Sequence, residues 1–151
     1  MKGLSRMKGL SLIELMVVLV IIGVLSSLAY PSYLQHLARR DRLAAINLLH
    51  EAQLFMERYH AINARYSLDS NGLMPPALPA RLQSTAGHTS HSYSLSVQAG
   101  LSTYTLTATP QTSQGQWCDQ LSLKLSHTGA KTALAADGSV LDATAVAACW
   151  R

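Results

Sequence analysis

The stretch GLSLIELMVVLVIIGVLSSLAYP, Gly9 to Pro31, decides how the rest of the chain is read. From Leu15 to Ala29 no side chain is charged, and about 20 residues at 1.5 Å rise suffice to cross a hydrocarbon core of ~30 Å. A short basic stretch, Met1 to Gly9, precedes it. Three readings compete: a cleaved secretory signal, a plain membrane anchor, or a segment cut just before the apolar run and retained. The first has small residues at alternate positions, Ser27 and Ala29 about Leu28, as a signal peptidase site requires. The second accounts for length and for positive residues staying in the cytoplasm. Neither explains Glu14.

A carboxylate inside a membrane helix costs roughly 2.5 to 3.5 kcal/mol, whereas each Leu, Ile or Val returns about 0.3 to 0.6. Ten such residues lie between Leu15 and Leu28, so the segment inserts despite the acid. An ionisable residue kept in an apolar helix is by default a functional candidate with a partner. The residues Gly9-Leu10-Ser11-Leu12-Ile13-Glu14-Leu15 resemble the processing motif of the type IV pilin family. The resemblance implies cleavage after Gly9 by the prepilin peptidase, with Glu14 the fifth residue of the new chain and the Leu10 amine N-methylated. That amine and Glu14 of the same or a neighbouring subunit would then neutralise one another, two costly charges becoming a pair. Two features depart from or complicate the family pattern. The mature chain would begin Leu10-Ser11 where most relatives have phenylalanine and threonine, and Met1-Lys2-Gly3-Leu4-Ser5 echoes Met7-Lys8-Gly9-Leu10-Ser11, so that Met7 is an alternative start.

Pro31 lies one spanning length beyond Leu10, where it removes a backbone hydrogen bond and should bend or locally melt the helix. A proline here is characteristic of type IV pilins. Apolar residues then recur at helical spacing through Leu34, Leu37, Ala38, Ala45, Leu48, Leu49, Ala52, Phe55, Met56 and Tyr59, with charged residues mostly on other faces. One amphipathic helix to about Ala64 fits this best. Its N-terminal half is apolar all round and has to be covered by other subunits. Arg39-Arg40-Asp41-Arg42 is read as a solvated face, a lipid-headgroup contact or an intersubunit pairing element.

From Tyr66 to His91 the chain is rich in Ser, Asn, Gly and Pro, which reads as a surface loop. Tyr93, Leu95 and Val97, then Tyr104, Leu106 and Ala108, then Leu121, Leu123 and Leu125 alternate with polar residues. These are three strands buried on one face, with turns at Ala99-Gly100, Pro110 to Gly115 and Thr128-Gly129. The apolar face of this antiparallel sheet should pack on the second half of the helix. Cys118 and Cys149 lie in the part that the anchor would place outside the cytoplasm, so a single disulfide is expected. Closing a loop of about 30 residues stabilises by roughly 3 to 4 kcal/mol.

The organisation expected is a leader over 1–9, a membrane or filament-core helix over 10–30, an amphipathic half over 31–64 and a globular head over 65–151. The fold class is α+β, the type IV pilin fold. The head, with Tyr104-Thr105-Leu106-Thr107-Ala108-Thr109-Pro110, Gly129-Ala130-Lys131 and Cys149-Trp150, resembles the minor-pilin group that includes PilE and the DNA-uptake pilin ComP. The resemblance implies no cofactor and no enzymatic activity. It implies these partners: other pilin subunits, the inner membrane before assembly, and the prepilin peptidase with the assembly machinery. Its location would be single-pass in the inner membrane with a periplasmic head, then an extracellular pilus.

The net charge of +4 does not by itself argue for DNA, because removing Lys2, Arg6 and Lys8 from the twelve basic residues leaves nine against eight acidic. Basic residues have to be gathered by the fold; Arg81, Lys124, Lys131 and Arg151 are the candidate DNA contacts. His88 and His91 lack the acids or thiolates of a metal site, and no catalytic constellation is evident. Trp117 and Trp150 flank the cysteines and are read as packing over a disulfide, or else as stacking on a base. A type II secretion pseudopilin shares the N-terminal segment and stands as an alternative.

Overall fold

The computed structural model describes residues 12–85, 92–111 and 117–151. Gly9, Leu10, His88 and His91 lie outside them. The chain divides into two compact units, one ending at Leu34 and the other running from Gln35 to Arg151. Helix α1, Leu12–Asn63, contributes to both.

In the first unit the helical assignment runs through Pro31 without a break, so the expected local melting does not occur. Proline fixes φ near its helical value and removes only one hydrogen bond, which an otherwise strong helix tolerates. Ser27 meanwhile donates its hydroxyl to the Val24 carbonyl at 2.7 Å.

In the second unit α1 buries Ala38, Ala45, Leu49, Ala52 and Met56 at helical spacing. The helix ends after Asn63, where Ala64 takes a left-handed conformation (φ 55) and its N–H donates to the His60 carbonyl at 2.7 Å. Glycine ordinarily fills that position. Strands β1 (Tyr93–Ala99), β2 (Tyr104–Pro110), β3 (Ser122–Ser126) and β4 (Lys131–Leu134) form an antiparallel sheet in sequence order. Tyr93, Leu95, Leu106, Ala108, Leu123, Leu125 and Ala133 turn to the helix and form one core with it. The disulfide between Cys118 and Cys149 joins the 3₁₀ turn Trp117–Gln120 to α2 (Ala143–Cys149), with Cα atoms 5.3 Å apart.

Three elements differ from the sequence expectation. β4 is a fourth strand, too short for alternation to reveal because Ala133 is its only fully buried residue. α2 is begun by Asp142, whose carboxylate accepts from Ala145 N at 2.7 Å. The segment after α1 is not simply a surface loop: Tyr66, Leu78 and Leu82 enter the core. Residues 83–85 pair along β1, through Leu95 N to the Gln83 carbonyl and a Ser84–Ser94 bridge. On the other edge, Val140 bridges Leu134 and Leu141 N donates to the Ala133 carbonyl.

A left-handed alanine costs about 1 kcal/mol relative to glycine. Ala64→Gly is therefore expected to raise the denaturant midpoint of the purified chain, by roughly 0.5 to 1 kcal/mol in stability. An unchanged midpoint would show that the left-handed turn carries no strain.

Candidate assembly helix and head surfaces

Every side chain from Leu12 to Tyr33 is exposed, including Leu19, Val20, Leu25 and Leu28 at 62 to 72%. This part of α1 is long and apolar enough to cross a membrane. Glu14, in the first turn, is the only Asp, Glu, Lys or Arg between Leu12 and Leu34. A helix satisfies its own backbone hydrogen bonds, so such a segment is stable in lipid or among other apolar helices. In water, by contrast, its side chains would carry the full hydrophobic penalty.

The head holds charge differently. Arg42 is buried and forms a direct ion pair with buried Asp119. The run Arg39 to Arg42 is therefore not simply a solvated or lipid-facing element. Arg39 and Arg40 are exposed, while Asp41 and Arg42 turn inward. Asp119 sits between Cys118 and the sheet, and its carbonyl accepts from the Tyr93 hydroxyl at 3.0 Å. Ion pair, disulfide and tyrosine thus hold one 3₁₀ turn against α1 and β1. Sequence spacing does not reveal the pair, since its members are 77 residues apart; an arginine and an acid at apolar-stripe positions are the available signal.

At the C-terminal end of α1, Glu57 accepts from the hydroxyls of Tyr66 at 3.0 Å and Tyr104 at 2.7 Å. His60 stacks on Tyr66 with ring centres 4.3 Å apart. Burial raises the Tyr104 pKa and the Glu57 carboxylate adds to the effect. Burial likewise raises Tyr93, with the Asp119 charge reinforcing it.

Two of the four candidate DNA contacts, Lys124 and Lys131, do not share a face of the sheet. Arg81 is exposed beside Glu51 at 3.5 Å, which partly cancels its charge. Lys124 pairs in register with Thr132, whereas Lys131 pairs with Leu125, so the two lysines point to opposite faces of the sheet. Lys131 Nζ lies 5.2 Å from the Trp150 ring centre, a cation–π arrangement, and the Trp150 indole N–H donates to the Thr132 carbonyl at 3.3 Å. Arg151 follows Trp150 and is exposed. Neither indole packs as simply as expected, because Trp150 is shared with Lys131 and Trp117 is 56% exposed. Among the described residues, no group of three or more His, Cys, Asp or Glu side chains is placed to hold a metal ion.

Residues 31–122 match the family described as "Type IV minor pilin ComP, DNA uptake sequence receptor", and residues 4–30 match the prokaryotic N-terminal methylation motif. Among curated proteins, the chain is similar to type II secretion system core protein G. The Klebsiella pneumoniae protein is 34% identical over 70 residues, 46% of this chain and 50% of that one. The Pectobacterium carotovorum protein is 35% identical over 68 residues, 45% and 44%. The Escherichia coli protein is 32% identical over 73 residues, 48% and 50%. The chain spans about half the length of the curated relatives it matches. No solved structure matches it.

Two outcomes are expected from the head's buried polar groups. Asp119→Ala leaves Arg42 buried and unpaired and should cost roughly 3 to 5 kcal/mol, whereas Arg42→Met with Asp119→Leu should recover most of that loss. Equilibrium denaturation of the three proteins measures this, and equal losses in the single and double variants would contradict it. Tyr93 and Tyr104 have folded pKa values above the ordinary 10.0, so the stability they contribute is fully present below pH 10 and is lost as pH rises further. The denaturant midpoint should therefore fall above pH 10, and less steeply in Tyr104→Phe.

Proposed function

This chain belongs to the family of the type IV minor pilin ComP, DNA uptake sequence receptor, and we propose that it is a minor subunit entering a type IV pilus through its N-terminal helix. The observation that carries the reading is the exposed apolar surface of residues 12–33. That surface is covered first by the inner membrane and then by the same segments of neighbouring subunits. The methylation-motif match over residues 4–30 supports processing of this segment.

In this reading the prepilin peptidase cuts between Gly9 and Leu10, and Leu10 becomes the methylated N-terminus. The new amine meets Glu14 of an adjacent subunit in the filament core. A mismatched register would leave both charges unpaired in an apolar medium, a penalty of several kcal/mol for each, so the pair sets the axial position of each incoming copy. Pro31 marks the end of the apolar segment and supplies a point where α1 can yield during packing. Before assembly the head lies in the periplasm; afterwards it is displayed on the filament, where it serves adhesion, twitching motility or DNA uptake.

The family description favours a second reading, DNA reception at the filament surface. Lys131 lies over the ring of Trp150, with Arg151 next in the chain, and Lys124, on the other face of the sheet, would engage separately. The similarity to type II secretion core protein G keeps a pseudopilin role as the competing assignment.

Intact-mass analysis of the membrane-extracted protein is expected to give a chain beginning at Leu10, carrying one methyl group and an oxidised cysteine pair. A chain beginning at Tyr30 would remove the assembly helix and end the proposal. Glu14→Ala should remain in the membrane fraction but disappear from sheared pili. A deletion strain should lose piliation or a pilus-dependent behaviour; loss of exoprotein release with pili intact would assign the chain to secretion. In a mobility-shift assay, DNA reception requires binding that weakens steeply with salt, and no shift at low salt would exclude it.

A further inference from the structure

A row of polar side chains crosses the face of the sheet opposite the core. Ser94 is paired in register with Thr109 and Ser122 with Leu134. Extending the β2–β3 register one step beyond Ala108 and Leu123 sets Thr109 beside Ser122. Directly opposed residues share a face, so three hydroxyls and then an aliphatic side chain lie in line across four strands.

At this end of the sheet there is an open groove of about 530 Å³, bordered by Thr109, Pro110, Gln111, Gln120, Ser122 and Leu134. Its lip is the turn after β4. Gly138, at φ 83, lets that turn close, with Gly138 N donating to the Ala135 carbonyl at 2.9 Å and Ala135 N to the Ser139 carbonyl at 3.0 Å. The Asp137 carboxylate accepts from both the Ser139 N–H and hydroxyl, so its charge is occupied in holding the turn. The Gln111 side chain donates to Ser94 Oγ at 2.6 Å, which fixes its carboxamide in place. The groove is therefore framed by groups that are already ordered, which lowers the entropic cost of binding.

Among the described residues, no charged side chain lines it. Two carboxamides and two hydroxyls supply both donors and acceptors, while Pro110 and Leu134 supply an apolar floor. A phosphate or carboxylate entering here would lose hydration without meeting a cation. An uncharged molecule with many hydroxyls and apolar C–H faces meets a complement to each part of its surface. Trp117 does not itself line the groove, but it shares a turn with Gln120, which does. It opens the same 3₁₀ turn that Gln120 closes, and side chains three apart in such a turn eclipse one another, so the 56% exposed indole stands on the Gln120 side. The contrast is the second groove, between β4 and α2, where Lys131 and Trp150 border an apolar trench of about 410 Å³.

We propose that the outer-face groove is a binding site for a neutral oligosaccharide, with Gln111 and Gln120 hydrogen-bonding its hydroxyls and Trp117 stacking on a sugar ring. The site gives the head a receptor chemistry separate from filament entry and from any DNA contact, and it holds whichever filament the chain joins.

The test titrates the full chain, held in a zwitterionic detergent without a sugar headgroup, with maltotriose, cellotriose and chitotriose while indole fluorescence is followed. At least one sugar should give a saturable change that is unaffected by raising the salt. Trp117→Ala and Gln111→Ala should each weaken it at least roughly tenfold, about 1.4 kcal/mol, with the circular dichroism and thermal midpoint of the parent retained. Ala147→Ser, in the other groove, should leave it unchanged. Absence of a saturable response to all three sugars at tens of millimolar would overturn the proposal, as would a response that survives both groove substitutions.

Discussion

Everything in the head is built on one helical stripe. Ala45, Leu49, Ala52 and Met56 are fully buried, and the inward residues of all four strands reach the same core. The two alanines let backbone approach backbone, while Leu49 and Met56 fill the space between. A chain with a thin core has little surplus stability, and the disulfide compensates by restricting the unfolded chain. The Arg42–Asp119 pair acts beside that covalent tie but on a different quantity. A buried pair adds little net stability, yet penalises any packing that separates its members. It is well placed to fix how the Trp117–Gln120 turn sits against α1.

The long helix and the first three strands were legible in the sequence because each repeats a simple period over enough residues to be distinctive. Leu121 was expected within the third strand and lies just before it, a difference at the boundary alone. β4 and α2 escaped for lack of length: four residues with one buried alanine, and seven residues dominated by alanine, show no period. The course of residues 65–85 was hidden for another reason. Tyr66, Leu78 and Leu82 are buried at irregular intervals by a chain that Pro75, Pro76 and Pro79 keep out of regular structure.

Site features divided in the same way. Glu14 stood out because a charge in an apolar run contradicts its surroundings, and such contradictions are visible locally. Arg42 and Asp119 each stand at an apolar-stripe position, but nothing local pairs them, and only the fold brings them together. Two of the candidate DNA residues are separated for a geometric reason. Lys124 and Lys131 look like neighbours on one hairpin, but their register partners put them on opposite faces. The hydroxyl row is the converse case: residues read only as the polar half of an alternation become a connected surface once four strands are aligned.

Both margins of the sheet are partly covered. β1 is flanked by residues 83–85, and β4 by Val140 and Leu141. A protein concentrated in a membrane by a greasy anchor meets its own copies constantly, and bare strand margins under such crowding invite runaway cross-β growth. Covering part of each margin narrows that route, so copies held side by side are favoured to stay folded until they are drawn into ordered polymerisation.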